Sequence, residues 1–129
     1  MSFIQLDVTD AARQIVSMMR AVLDRGKQGK ETTLIQMVDM WRGTTPKRND
    51  RFDVTDLPGV GGGAKYTKHD AERLAHKLVL DGVLRENPAP TQHGNVVAYV
   101  ALGHRAADIE HGRLRLQLSM ADKVNPTLL

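Results

Sequence analysis

With 129 residues, of which 41% are hydrophobic and 26% charged, the chain is one domain with a modest core, too short for a two-lobed nucleotide-driven motor. It has no cysteine, which excludes disulfide staples and thiolate zinc sites, and it has neither an apolar run of membrane-spanning length nor a signal-peptide start. A formal net charge of +3 favours an anionic partner only where the cations cluster.

Asp7 or Thr9 is expected to cap a first helix, along which Val8, Ala12, Ile15, Val16, Met19 and Leu23 recur at helical spacing until Gly26 ends it. GKQGKE then reads as a polar connector. A short second helix starts near Thr32 or Thr33, places Leu34, Val38 and Trp41 on one face, and stops at Gly43; Trp41 is assigned to the core or its edge. From Thr44 to Gly63 the chain carries two prolines, four glycines and mixed charge, which is loop chemistry. A loop of that length in so small a domain often functions or orders on binding.

A third helix is expected from Lys68 to Asp81, with Thr67 as N-cap and Asp70 in its first turn. It buries Ala71, Leu74, Ala75, Leu78 and Val79, keeps Lys68, Glu72, Arg73, His76 and Lys77 on or near its polar face, and ends at Gly82. A hairpin follows, with Val83 to Glu86 as one strand, NPAPTQHGN as the tip and Val96 to Leu102 as the other. Pro88 and Pro90 stiffen the tip and blunt edge pairing, while Gly94 supplies the turn. After a short helix through Ala106, Ala107 and Ile109, the alternation in RLRLQLS predicts a strand that buries Leu114, Leu116 and Leu118. The tail ADKVNPTLL is expected to fray.

The stretch GVGGGAKYTKHD invites a nucleotide-binding reading, which fails on detail. A P-loop needs glycine before its lysine and a hydroxyl after it, whereas Ala64 precedes Lys65 and Tyr66 follows. A dinucleotide fingerprint through Gly59, Gly61 and Ala64 lacks the buried strand that should lead into it. What remains is either an ordinary capped helix or a helix N-terminus whose amides, beside Lys65 and Lys68, hold one phosphate. Arg42, Lys47, Arg48 and Arg51 form a second basic cluster, open both to anion binding and to simple solvation. His69, Glu72 and His76 fall near one helical face, but the two histidines lie two turns apart, so they are read as a solvated polar face and no metal site is assigned.

Helix, helix, helix, hairpin is the order of a winged helix-turn-helix: an α+β fold with a three-helix core, a small antiparallel β-hairpin wing and here a C-terminal strand. Beyond fold class, DVTDAARQIV, TLIQMVDMWRG, AKYTKHDAERLAHKLVLDGVLRE and VVAYVALGHRA together resemble the RQC domain of RecQ-family DNA helicases, most nearly the Bloom syndrome helicase type. The resemblance runs over residues 7–120, which leaves residues 1–6 as a flexible leader and 121–129 as a flexible tail.

The resemblance implies a non-enzymatic module of an ATP-dependent 3'-5' DNA helicase, nuclear and active in DNA repair, recombination and replication. ATP, magnesium and zinc are expected only in that parent, with none in this chain. The implied partners are duplex, forked, branched or G-quadruplex DNA, the motor and zinc-binding domains of the same helicase, and repair proteins, with no membrane. A protein-interaction module that binds no DNA is the alternative.

By the same resemblance, the residues after the second helix grip the DNA backbone, a role that falls on Arg42 and Thr44, extended by Thr45, Lys47 and Arg48. Lys65, Thr67 and Lys68 are expected as further phosphate contacts. The wing tip, Gln92, His93, Gly94 and Asn95, takes the place of a strand-separating pin, although it lacks the aromatic residue that some relatives carry there. Tyr99 lies back in the strand and is assigned to the core.

Overall fold

The computed structural model describes residues 3–44 and 56–121. The chain enters on β1 (Phe3–Asp7) and turns directly into α1 (Thr9–Leu23). Neither expected cap takes the N-cap position, which falls to Val8 with no side-chain cap bond; the two side chains are used in other ways. The Asp7 carboxylate accepts the Thr9 amide at 2.9 Å, while the buried Thr9 hydroxyl accepts the Leu116 amide at 2.9 Å and so ties the helix start to the end of the domain. Ala12, Ile15, Val16, Met18, Met19 and Val22 are all buried, which makes α1 the axis of the core.

GKQGKE is not a bare connector, because it holds a one-turn helix, α2 (Lys27–Lys30). The next helix, α3 (Leu34–Arg42), opens with a capping box in which the Thr33 hydroxyl accepts the Gln36 amide and the Gln36 side chain accepts the Thr33 amide. It closes at Gly43, whose φ of 77° is the left-handed conformation that glycine adopts without a Cβ clash. There the Gly43 amide donates to the Met40 carbonyl at 3.1 Å and the Thr44 amide to the Asp39 carbonyl at 2.8 Å, the two bonds of a Schellman motif.

α4 (Lys68–Leu80) is capped by Thr67, whose hydroxyl accepts the Asp70 amide at 3.1 Å, and it buries Ala71, Leu74, Ala75 and Leu78 against α3. Helices α1, α3 and α4 form the three-helix core. β2 (Leu84–Pro90) and β3 (Val96–Leu102) form the wing, paired antiparallel from Leu84 opposite Leu102 to Pro90 opposite Val96. The tip is therefore shorter than expected, because Asn87 to Pro90 belong to the strand. The Thr91 amide donates to the Asn95 carbonyl at 2.7 Å; alternation from that pair turns the backbone of Pro88 and Pro90 to the outer edge, where no N–H is needed. On the far side of β3, Thr33 forms a bridge with Tyr99, and the Thr32 carbonyl accepts the Val100 amide at 2.8 Å. The approach to α3 is thus stitched to the wing.

α5 (Ala106–Glu110) follows, and β4 (Gln117–Ala121) then pairs antiparallel with β1, from Phe3 opposite Ala121 to Asp7 opposite Gln117. This corrects two expectations. Residues 3–6 of the supposed leader are strand, and the last strand begins at Gln117 rather than Arg113. The expected alternation still holds, with Leu116 and Leu118 buried and Leu114 packed at the core edge. The result is an α+β winged helix-turn-helix whose C-terminal strand joins β1, away from the wing.

Two outcomes test this architecture. A Cβ at Gly63 would lie 2.4 Å from the Trp41 ring, so Gly63→Ala should cost about 1–3 kcal/mol by overpacking, read from urea unfolding. Arg20 on α1 makes a two-pronged ion pair with Glu110 on α5, its Nε donating at 2.8 Å. The hydrogen bond from Arg20 is the chief cause holding the Glu110 carboxyl below its usual pKa; the charges of Arg20 and His111 add to it against partial burial. Because the folded value is depressed, the stabilisation is complete above the ordinary glutamate pKa of about 4.3 and is lost as pH falls through the folded value. Glu110→Gln should flatten the acid limb of a Tm profile and cost at most about 1 kcal/mol at neutral pH, since the pair is partly exposed.

Candidate nucleic-acid interface

The first basic cluster is organised around the C-terminus of α3. Trp41 is buried to 1% exposure; its indole N–H donates to the Gln14 side chain at 2.8 Å, and its ring meets Tyr66 at 4.7 Å between centroids. Burial, with the Asp70 charge adding, pushes the Tyr66 phenol up. Because consecutive helical residues point about 100° apart, Trp41 facing inward turns Arg42 towards the domain surface. The Arg42 Nε donates to the Tyr66 carbonyl at 3.0 Å. Among the described residues this is its one hydrogen bond, so the guanidinium is anchored at its stem while both terminal NH2 groups are left for a bidentate anion.

That bond brings the two expected clusters together. Tyr66 sits between Lys65 and Thr67, so Arg42 reaches from the end of α3 to the start of α4, where Lys65, Thr67 and Lys68 are all exposed. Thr44 is exposed two residues beyond Arg42, its amide held by the Schellman motif and its hydroxyl near Asp39, 3.4 Å from the carbonyl oxygen. The Thr67 hydroxyl is committed to capping α4. Thr45, Lys47 and Arg48 lie outside the described residues.

The glycine loop is built for packing. The Gly61 amide donates to the Met40 carbonyl at 3.1 Å and the Gly63 amide to the Trp41 carbonyl at 2.8 Å, so the loop satisfies carbonyls at the end of α3. The amides of Val60, Gly62, Ala64 and Tyr66 are spent within the loop itself. Few donors remain to cradle a nucleotide phosphate, in accord with the motif's departures from the P-loop pattern.

The remaining sites lie on the wing. Gln92, His93, Gly94 and Asn95 are all exposed at its tip, which is closed by the Thr91–Asn95 pair and by a 3.2 Å bond from the Asn95 amide to the Thr91 hydroxyl. Tyr99 is not a core residue: it is half-buried on the outer face of the hairpin, because the inner face is set by buried Leu84 and Val100, one position out of phase. Arg73 is a structural cation, donating to the Ser119 carbonyl of β4 at 2.6 Å, and Lys77 pairs with Asp81 at 3.0 Å. Between α3, α4 and the inner face of the wing runs a mainly apolar groove of about 370 Å³, lined by Leu34, Val38, Ala98, Glu72, His76 and Glu86 among others. Among the described residues, His69, Glu72 and His76 do not converge into a metal-binding group.

Sequence reasoning missed Tyr66, whose carbonyl positions Arg42; its only signal was a tyrosine where a P-loop needs a hydroxyl-bearing serine or threonine. It also missed the approach of Lys30 to the wing, which depends on α2.

A scan of family models matches the RQC domain over residues 2–127. The chain is 37% identical to the RecQ-like DNA helicase BLM of Xenopus laevis over 117 residues, covering 85% of this chain and 8% of the relative. It is 31% identical to the ATP-dependent DNA helicase hus2/rqh1 of Schizosaccharomyces pombe over 104 residues, 81% of this chain and 7% of the relative. With the ATP-dependent helicase SGS1 of Saccharomyces cerevisiae the identity is 24% over 112 residues, 87% of this chain and 7% of the relative. The chain thus spans less than a tenth of the length of these relatives. A winged helix of this sequence, matched from end to end, belongs to the RQC domains of RecQ-family helicases.

Proposed function

We propose that this domain docks on DNA through phosphate contacts at the end of α3 and the start of α4, and that the wing tip helps part the strands. One observation carries the reading: Arg42 is fixed at its Nε by the Tyr66 carbonyl and makes no other hydrogen bond among the described residues, near exposed Thr44, Lys65 and Lys68. A planar fork held at its stem is suited to phosphate oxygens, and a nearby hydroxyl can donate to a neighbouring one. Thr45, Lys47 and Arg48 extend the same patch by sequence. Gln92, His93 and Asn95 meet the terminal base pair through hydrogen bonds and, for His93, stacking.

The parent is an ATP-dependent 3'-5' helicase of the nucleus, serving repair, recombination and replication; ATP, magnesium and zinc act in its other domains. Forked, branched and G-quadruplex DNA are the substrates proposed for the module. The docking partners within the parent are its motor and zinc-binding domains.

A second reading has its own support. The groove between α4 and the wing carries Glu72 and Glu86 on an apolar floor, with Ile35 57% exposed in its lining and Val96 71% exposed nearby on the wing. Carboxylates there repel phosphate, so α4 is a poor candidate for insertion into a DNA groove. The same surface suits a protein segment, either from another domain of the helicase or from a repair protein.

Salt separates the readings. Arg42→Ala should weaken binding to a forked duplex by about 1.5–3 kcal/mol, the worth of a charged hydrogen bond. It should also make the log–log salt slope shallower by about 0.9. A folded variant with unchanged affinity and slope would remove Arg42 from the interface. Replacing Gln92–Gly94 by a tight Asn-Gly turn should lower strand separation by the parent helicase more than the duplex affinity of this domain; unwinding at the original rate would show that the tip is no pin.

A further inference from the structure

The two faces of the wing differ in chemistry. On the outer face an open cleft of about 420 Å³ runs between the hairpin and the α1–α2 corner, lined by Leu23, Lys30, Arg85, Asn87, Ala89 and Tyr99, with no carboxylate in its lining. Lys30 reaches it because α2 packs closely on α1: Gly29 is buried, and a Cβ there would lie 1.8 Å from the Val22 carbonyl oxygen. Arg20, Arg25, Arg105, Arg113 and Arg115 each meet a carboxylate, whereas Lys30 and Arg85 are exposed and have no ion pair among the described residues. Tyr99, half-exposed in the same lining, has neither a ring partner nor a side-chain hydrogen bond among those residues.

We propose that this outer face is a track for single-stranded DNA leaving the duplex at the wing tip. One base stacks on Tyr99, neighbouring phosphates meet Lys30 and Arg85, and the Asn87 side-chain amide meets a base edge. An aromatic face in one cleft with two cations suits single strands of any sequence, since every base has a π-face and every nucleotide a charge. Strand parity sets the direction: Asn87 opposes Tyr99 and Ala89 opposes Val97, so the outer row leads towards Thr91 and the tip. The inference rests on the proposed function only for the parting of strands at the wing tip, because the cleft's own chemistry is independent of the Arg42 patch.

The test uses the whole 129-residue chain and three fluorescent probes: a blunt duplex, the same duplex with a thymidine overhang on either strand, and the free thymidine oligonucleotide. An overhang on one of the strands should tighten binding roughly tenfold over the blunt duplex, the scale of stacking one base on an aromatic. Tyr99→Ala and the surface change Arg85→Glu should each abolish most of that gain with blunt-duplex affinity unchanged, and Tyr99→Phe should keep it. Photocrosslinking of a halogenated uridine in the overhang should map to the strand bearing Tyr99. The proposal is overturned if neither overhang tightens binding, if Tyr99→Ala and Arg85→Glu leave the gain intact, or if they weaken blunt and tailed duplexes alike. Arg42→Ala should do the reverse, lowering blunt-duplex affinity while keeping the gain. Free oligonucleotide bound through Tyr99 with no duplex binding would defeat the Arg42 reading and leave this one standing.

Discussion

The burial of Trp41 at the last turn of α3 is the constraint on which the rest depends. Its indole N–H is satisfied by Gln14 of α1, its ring stacks obliquely on Tyr66, and Gly63 lies flat against it because no larger residue fits. One side chain thus joins α1, α3 and the approach to α4, the three helices of the core. Gln14 and Tyr66 are polar and Gly63 leaves no room for a Cβ, so the contact fixes geometry as well as burying area. Arg42 inherits its position from this arrangement: with Trp41 facing inward and the Tyr66 carbonyl accepting from Nε, the guanidinium has one anchored nitrogen and two with no hydrogen bond among the described residues.

The glycine run that looks most like a ligand loop therefore has a mechanical purpose. It folds over the open end of α3, donates amides to the Met40 and Trp41 carbonyls, and delivers Tyr66 to its place against the ring. The sequence was informative in a negative sense, since Ala64 and Tyr66 broke the nucleotide motif. It could not show where the amides go, because that depends on a contact between residues some twenty positions apart. Local signals were legible throughout: Thr33 and Thr67 cap as their neighbours predict, Gly43 ends α3, and the stripe Ala71, Leu74, Ala75, Leu78 is buried.

Elements that depend on a distant partner were harder to read. β1 alternates too briefly to announce itself, and it becomes a strand because β4 supplies its hydrogen bonds from more than a hundred residues away. α2 is one turn in a polar segment, too short to show periodicity, and it persists through close packing of Gly29 on α1. Pro88 and Pro90 suggested a loop, whereas the ladder register gives them edge positions where a missing N–H has no consequence. For Tyr99 the error was one of phase. Period-2 alternation tells which residues share a face, but the buried face is named only by the helix beneath it.

Phase also explains how so small a wing presents two surfaces of opposite character. On the inner face Leu84 and Val100 enter the core, and as the hairpin leaves the body the same face continues with Glu86, Ala98 and Val96 over α4, where Glu72 and His76 complete an acidic apolar groove. On the outer face Arg85, Asn87 and Tyr99 meet Lys30 across a cleft without a carboxylate. A net charge of +3 conceals this division, since the total says little about where charge lies. An anion approaching the hairpin meets Lys30 and Arg85 on the outer face and the carboxylates of Glu72 and Glu86 on the inner one. In a winged helix so arranged, strand phase alone gives the two faces of one hairpin opposite charge, with the cations towards α2 and the carboxylates towards α4.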